Sequence, residues 1–229
     1  MPPKNPDRPR VPDEPPKLFE RLAIWHVAPA ARGAGQMALD EVMLRLAEEP
    51  TMRLYRWQQP EVTIGYPQHW EDAQAFAGDR PITRRCTGGG FVEHGADLTI
   101  ALAVPATHPF ARLAPAEAYR RIHEAIRAGL DDAEVRLATE AECTCGPACF
   151  ASPALHDVMR GGHKILGGAQ RRSREGFLYQ GSLRDADFAN AAAAFSDAVE
   201  LWRPPAGWET IFEGLVSTRY GAEAWNRRR

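Results

Sequence analysis

The sequence predicts an α+β fold, a mixed and largely antiparallel sheet flanked by helices. Two observations carry the prediction. Short apolar segments come in pairs separated by turn residues, as around Gln58-Gln59-Pro60, Gly95-Ala96-Asp97 and Gly161-Gly162, which is how hairpins read. Segments with apolar residues at helical spacing lie between groups of strands and do not follow every strand, unlike a doubly wound parallel sheet.

The chain has 229 residues, enough for one large domain or two small ones and for a substantial core. A net charge of -2 with 25% charged residues does not suggest a polyanion partner, so no nucleic acid is expected. No apolar run reaches the 18 residues of a membrane span, and no apolar block of signal-peptide type stands at the N-terminus. A cytoplasmic location without membrane partners is the default expectation.

Residues 1–16 contain seven prolines and few apolar side chains. They bury too little to offset the entropy of ordering and read as a disordered tail, leaving 17–229 as a single catalytic-size domain. Phe19 to Val27 reads as a first strand, and Gln36 to Glu48 as a helix with Leu39, Val42 or Met43, and Leu46 along one side. Thr51 to Trp57 and Glu61 to Tyr66 read as one hairpin, and Phe91 to His94 with Leu98 to Val104 as another. Between them Pro81 to Cys86 is a strand entering Thr87-Gly88-Gly89-Gly90. Three glycines in a row form a flexible turn, or else bring N–H groups against a phosphate or acyl oxygen beside Arg84 and Arg85. Pro115 opens a helix to Leu130, and Glu134 to Ala138 is a short strand. Asp185 to Trp202 has helix propensity through its alanines, and 207–226 closes the chain as an amphipathic helix.

The segment from Cys149 to Gly181 is the chemical centre of this reading. Extended stretches on either side of Gly161-Gly162 and of Ser173 to Gly176 predict a three-stranded meander that returns Lys164 towards Cys149, fifteen positions before it. An ammonium beside a thiol favours the nucleophilic thiolate. Gly167, Gly168 and Ala169 directly after the lysine let an acyl chain or carbonyl approach the backbone. The alternative is a buried apolar cysteine and a solvated strand lysine. Three of the four cysteines, at 143, 145 and 149, fall within seven residues, but no fourth ligand follows at a familiar metal-site spacing, and no metal is assigned. A reversible disulfide between Cys149 and a neighbouring thiol is the other use of this cluster.

Four blocks in order resemble the lipoate–protein ligase and octanoyltransferase family, whose catalytic domain is related to that of biotin–protein ligase. They are Met37-Ala38-Leu39-Asp40-Glu41, Thr63-Ile64-Gly65-Tyr66-Pro67-Gln68, the run Arg84-Arg85-Cys86-Thr87-Gly88-Gly89-Gly90-Phe91-Val92-Glu93-His94, and His163-Lys164-Ile165-Leu166-Gly167-Gly168-Ala169-Gln170-Arg171. The third is similar to the family signature RR-x-[ST]-GG-x-x-V-x-H and the fourth to [RK]-K-[IV]-x-G-[ST]-A-Q-R. Ala148-Cys149-Phe150 with Ser152-Pro153 and Lys164 is most similar to the cysteine-dependent octanoyltransferases. Gly168 stands where Ser or Thr is usual, and Gln180-Gly181 replaces the commoner His-Gly.

The resemblance spans Lys17 to Trp202 and implies a biotin/lipoate protein ligase catalytic-domain fold. It implies octanoyl transfer from acyl carrier protein to a lysine of a lipoyl domain, in a 2-oxoacid dehydrogenase or glycine-cleavage H protein. Cys149 and Lys164 would be catalytic, with Arg85, Gly88, Gly89, Gly90, His94, Gly167, Gly168 and Ala169 binding substrate. Transfer from a thioester needs no cofactor. The alternative is lipoate ligation through an adenylate, which requires ATP and Mg, and a third is an acyl-binding protein without chemistry. Many of the ligases carry a C-terminal accessory domain, for which this chain leaves no room; that too favours transfer.

Overall fold

The computed structural model describes residues 17–143, 152–188 and 190–228. The proline-rich tail, Cys145 and Cys149 lie outside the described residues.

The elements are β1 (Leu22–Ile24), α1 (Gly33–Leu46), β2 (Thr51–Arg56), β3 (Glu61–Ile64), α2 (Trp70–Ala77), β4 (Ile82–Arg84), β5 (Phe91–His94), β6 (Leu98–Pro105), α3 (Pro115–Gly129), β7 (Val135–Leu137), β8 (Val158–Arg160), β9 (His163–Arg172), β10 (Gly176–Leu183), α4 (Ala191–Phe195), β11 (Val199–Leu201), α5 (Trp208–Leu215) and α6 (Glu223–Asn226), the last two joined by a π-helical turn at Val216–Tyr220. An eight-stranded sheet runs β11-β1-β2-β6-β10-β9-β8-β7, and a three-stranded sheet runs β4-β3-β5. In the large sheet β1 is parallel to both β11 and β2, while the remaining neighbours are antiparallel. The mixed, largely antiparallel sheet matches expectation. So does the meander, with β8, β9 and β10 paired in sequence order.

Period-two alternation sorts the large sheet's residues between two layers. Met52, Ile100, Leu102, Val104, Phe177, Tyr179 and Leu183 face one core, into which α3 sends Ile122 and Ile126. Tyr55, Ala101, Ala103 and Leu178 face the other, which holds Met37, Leu39, Val42 and Met43 of α1. Alanine at 101 and 103 lets α1 lie close to β6. The same face continues as Arg53, Thr99, Gln180 and Ser182, all buried, so polar groups collect where the small sheet approaches the large one.

Three predicted elements are corrected. β2 pairs with β1 and β6, whereas β3 pairs with β4 and β5, so Gln58-Gln59-Pro60 passes the chain from one sheet to the other and closes no hairpin. Gly95-Ala96-Asp97 does the same between β5 and β6. Turn residues specify that the chain reverses or bends, not which strand it then joins. The third correction is the stretch from Asp185 to Trp202, whose helix is confined to Ala191–Phe195; Val199–Leu201 completes the edge of β1. Helix propensity differs by less than about 1 kcal/mol per residue among ordinary residues, and backbone pairing overrides it. The helix Trp70–Ala77 stands outside the sequence expectations, although Glu71 and Asp72 in its first turn and buried Ala73 and Ala77 at i,i+4 mark it. Among the described residues no helix is long and apolar enough to cross a membrane.

Candidate active site

Between the polar end of the large sheet and the small sheet lies a narrow slot. Met37, Tyr55, Trp57 and Val92 give it apolar walls, and Gly167, Gly168 and Gly181, with the small Ala169, make a strip of little side-chain bulk along β9 and β10. Thr63, Arg85, His94, Thr99, Gln180 and Ser182 add polar atoms to the lining. The glycines are there for space. In the antiparallel register Gly168 lies opposite Gly181, and the Tyr179 ring leans over both. A Cβ on Gly168 would stand 2.3 Å from Tyr179 Cε2, and one on Gly181 2.3 Å from its hydroxyl.

Lys164, on the same strand, is drawn against Gly167: a Cβ there would meet Lys164 Nζ at 2.6 Å. The ammonium is 4% exposed and forms an ion pair with Asp157 at 2.7 Å, itself fully buried. The reading of Lys164 as a solvated strand residue is therefore corrected: its side chain is buried and packs against Gly167, which lines the slot. Gly168 offers no free backbone donor, because its N–H is given to the Tyr119 hydroxyl at 3.0 Å. Behind the strand, His123 donates Nδ1–H to the His156 carbonyl and accepts the Tyr179 hydroxyl at Nε2, each at 2.8 Å. Burial pulls the His123 pKa down to about 4, against the attraction of Asp157.

The far wall is built around His94. Its Nδ1 donates to Asp97 Oδ2 at 2.8 Å, its Nε2 accepts from the Thr63 hydroxyl at 2.8 Å, and its ring stacks on Trp57 with centroids 3.9 Å apart. Burial holds this imidazole below its ordinary pKa although Asp97 opposes the shift, so it is neutral near pH 7. Burial also pushes Asp97 up, but bonds from His94, Ser182 and the Gly95 N–H outweigh it and leave the carboxyl below the usual range.

Arg85 lines the slot and also holds the glycine loop in shape. It donates to the Gly88 and Gly90 carbonyls at 2.7 and 2.9 Å and to Thr63 Oγ1 at 3.2 Å. Gly88, Gly89 and Gly90 themselves do not form part of the slot's wall; the loop packs instead on Gly65, where a Cβ would fall 1.9 Å from the Gly89 carbonyl oxygen. Gly89, at φ +82°, is the one of the three in the left-handed region. Of the predicted binding residues, Arg85, His94, Gly167, Gly168 and Ala169 thus meet at one slot, with Lys164 beside it. Cys149 lies outside the described residues. Cys143 is exposed, with its thiol 3.4 Å from the Thr139 carbonyl.

Sequence reasoning missed the network beneath the slot. Arg53 and Asp40, both without exposure, pair at 2.6 Å; Tyr55 and Gln180 donate to the second Asp40 oxygen at 3.0 and 2.6 Å. Gln180 then accepts the Thr87 hydroxyl at 2.7 Å, joining α1, the glycine block and β10. Burial pushes the Asp40 pKa up and Arg53, with these bonds, works against it. The signal was available: Asp40 sits among apolar residues on α1, and Arg53 shares a strand face with Tyr55.

The description Lipoyl protein ligase A/B catalytic domain matches residues 33–200. The octanoyltransferase LipM of Kyrpidia tusciae is 31% identical over 71% of this chain and 66% of its own length. That of Brevibacillus brevis is 34% identical over 69% and 63%, so the chain spans just under two thirds of these relatives. Two solved structures share the fold. A bi-partite lipoate protein ligase from Thermoplasma acidophilum superposes with a TM-score of 0.67 at 18% identity, over 91% of this chain and 97% of that one. A lipoate-protein ligase A bound with ATP gives 0.67 at 18% identity, over 90% and 98%. The slot between two sheets, the lysine beside its glycine strip and these matches agree: the chain belongs to the lipoyl protein ligase A/B catalytic domain family.

Proposed function

We propose that the protein transfers an octanoyl group from an acyl carrier thioester to a lysine of a lipoyl domain, with Cys149 as nucleophile. The observation that carries this reading is the buried Lys164 ammonium held against Gly167 at the slot wall, a position suited to charge that develops on an acyl oxygen. Likeness to octanoyltransferases at 31% and 34% identity supports it. The Cys149 thiolate attacks the thioester carbon, the carrier's sulfur leaves, and an acyl-cysteine forms. The acceptor amine then attacks the same carbon, the amide C–N bond forms, and Cys149 leaves as a thiol with the amine's proton. Thioester chemistry supplies the driving force, so no nucleotide enters. Enclosing six methylenes contributes about 5 kcal/mol, which selects a medium chain over acetyl.

Ligation of free lipoate through an adenylate is the competing activity. Arg85 bears on it, because its Nη2 already donates to the Gly88 and Gly90 carbonyls. The test uses octanoyl carrier protein, a lipoyl domain and the Cys149→Ala variant. Wild type should form an acyl adduct visible by intact mass and the variant should be inactive. Undiminished transfer by the variant refutes the cysteine route, and pyrophosphate release with free lipoate and ATP identifies a ligase.

A further inference from the structure

Asp157 is fully buried and its two oxygens reach three parts of the molecule. Oδ2 accepts from Lys164 Nζ and from the Ala154 N–H, each at 2.7 Å. Oδ1 accepts the Tyr119 hydroxyl, and that hydroxyl receives the Gly168 N–H of the slot strip. The turn containing Ala154 and Asp157 is pinned a second time from outside, by the His156 carbonyl accepting from His123 and by the Ala138 N–H donating to the Asp157 carbonyl at 2.7 Å. This turn follows closely on the segment that carries Cys149, eight residues before Asp157. One carboxylate therefore meets the lysine, the turn at Ala154 and, through Tyr119, the slot strip.

We propose that Asp157 is a positioning residue for acyl transfer, which fixes the Lys164 ammonium against Gly167 of the slot strip; this rests on the acyl-transfer reading above. Asp157 touches no substrate and acts through Lys164. A buried ammonium left without its counter-charge is costly, because desolvation disfavours an unpaired ion. Among the described residues Tyr119 and His123 from α3 and Tyr179 from β10 also interact with the pair.

The experiment measures octanoyl transfer to a lipoyl domain for the full chain and three variants. Asp157→Asn should lower kcat about a hundred-fold and leave KM for the lipoyl domain within about twofold, a split that a merely structural loss does not give. Asp157→Glu should recover part of kcat, and Tyr119→Phe should lower thermal stability more than it lowers kcat. If Asp157→Asn does not fold, Lys164→Met is compared with Lys164→Met/Asp157→Leu, which buries no lone charge. Equal residual activity supports action through the lysine, and a further fall in the double variant overturns it. An Asp157→Asn enzyme with wild-type kcat, or one altered only in melting temperature, overturns this inference alone. Absence of transfer by the wild type overturns the acyl-transfer reading and this one with it.

Discussion

Gly168→Ala is the sharpest test of how the slot is built, because it adds one methyl group at a position where the common residue of the family is larger still. The new Cβ would lie 2.3 Å from Cε2 and 2.6 Å from Cζ of Tyr179, against an ordinary carbon–carbon separation of about 3.5–4.0 Å. Something must move by more than an ångström. The tyrosine is fully buried, and its hydroxyl is held by His123 Nε2 at 2.8 Å, so the ring cannot swing aside without breaking that bond. Overpacking costs about 1–3 kcal/mol and the lost hydrogen bond about 1 kcal/mol more. The sum, about 2–4 kcal/mol, should lower Tm by about 5–15 °C in a domain of this size. Thermal unfolding by circular dichroism measures it. On a Tyr179→Ala background the same methyl enters vacated space, and its added cost should fall below about 1 kcal/mol. A Gly168→Ala protein melting within about 2 °C of wild type would refute the account of Gly168 as the space left for Tyr179.

Acid should weaken the fold through His123. The unfolded imidazole takes its proton near pH 6.5, the buried one only near pH 4, so the unfolded state binds more protons in between and stability falls as pH drops through that window. The full loss is about 3 kcal/mol; urea denaturation at pH 7.5 and 4.5 should show most of it, and His123→Gln should lose that share of the slope. Equal slopes in the two proteins would refute the assignment. Arg53→Met should destabilise by about 3–5 kcal/mol because it leaves Asp40 buried without its cation. The loss should be smaller at pH 5 than at pH 8, as the stranded carboxyl takes up a proton, and Asp40→Asn added to Arg53→Met should recover much of the stability; a mild single variant would show that Tyr55 and Gln180 suffice.

The parts of this protein that were legible in the sequence are those governed by neighbours along the chain. The meander from β8 to β10 is one, because Gly161-Gly162 and the Ser173 to Gly176 stretch reverse the chain into the strand just made. The α1 stripe is another, and so are the ordered blocks that carry the resemblance to the family. Sheet membership was not legible. The links at Gln58-Gln59-Pro60 and Gly95-Ala96-Asp97 look like hairpin turns, yet β3 and β5 leave the large sheet for the small one, and only that departure opens the slot. Val199–Leu201 became a strand because β1 had an unpaired edge, a demand made from a distance of more than 170 residues.

The sequence by itself determined the α+β class, the family and the residue types from which a site would be made. Local propensity, periodicity and motif order are properties of short stretches, and they survive without coordinates. Tertiary structure decided what those residues do: Lys164 is paired and buried, Arg85 braces a loop, the Gly168 amide is already spent on Tyr119, and Asp40 with Arg53 joins helix to sheet. Which charges meet depends on strand register and on desolvation, and both come into being only when residues far apart in the chain are packed together.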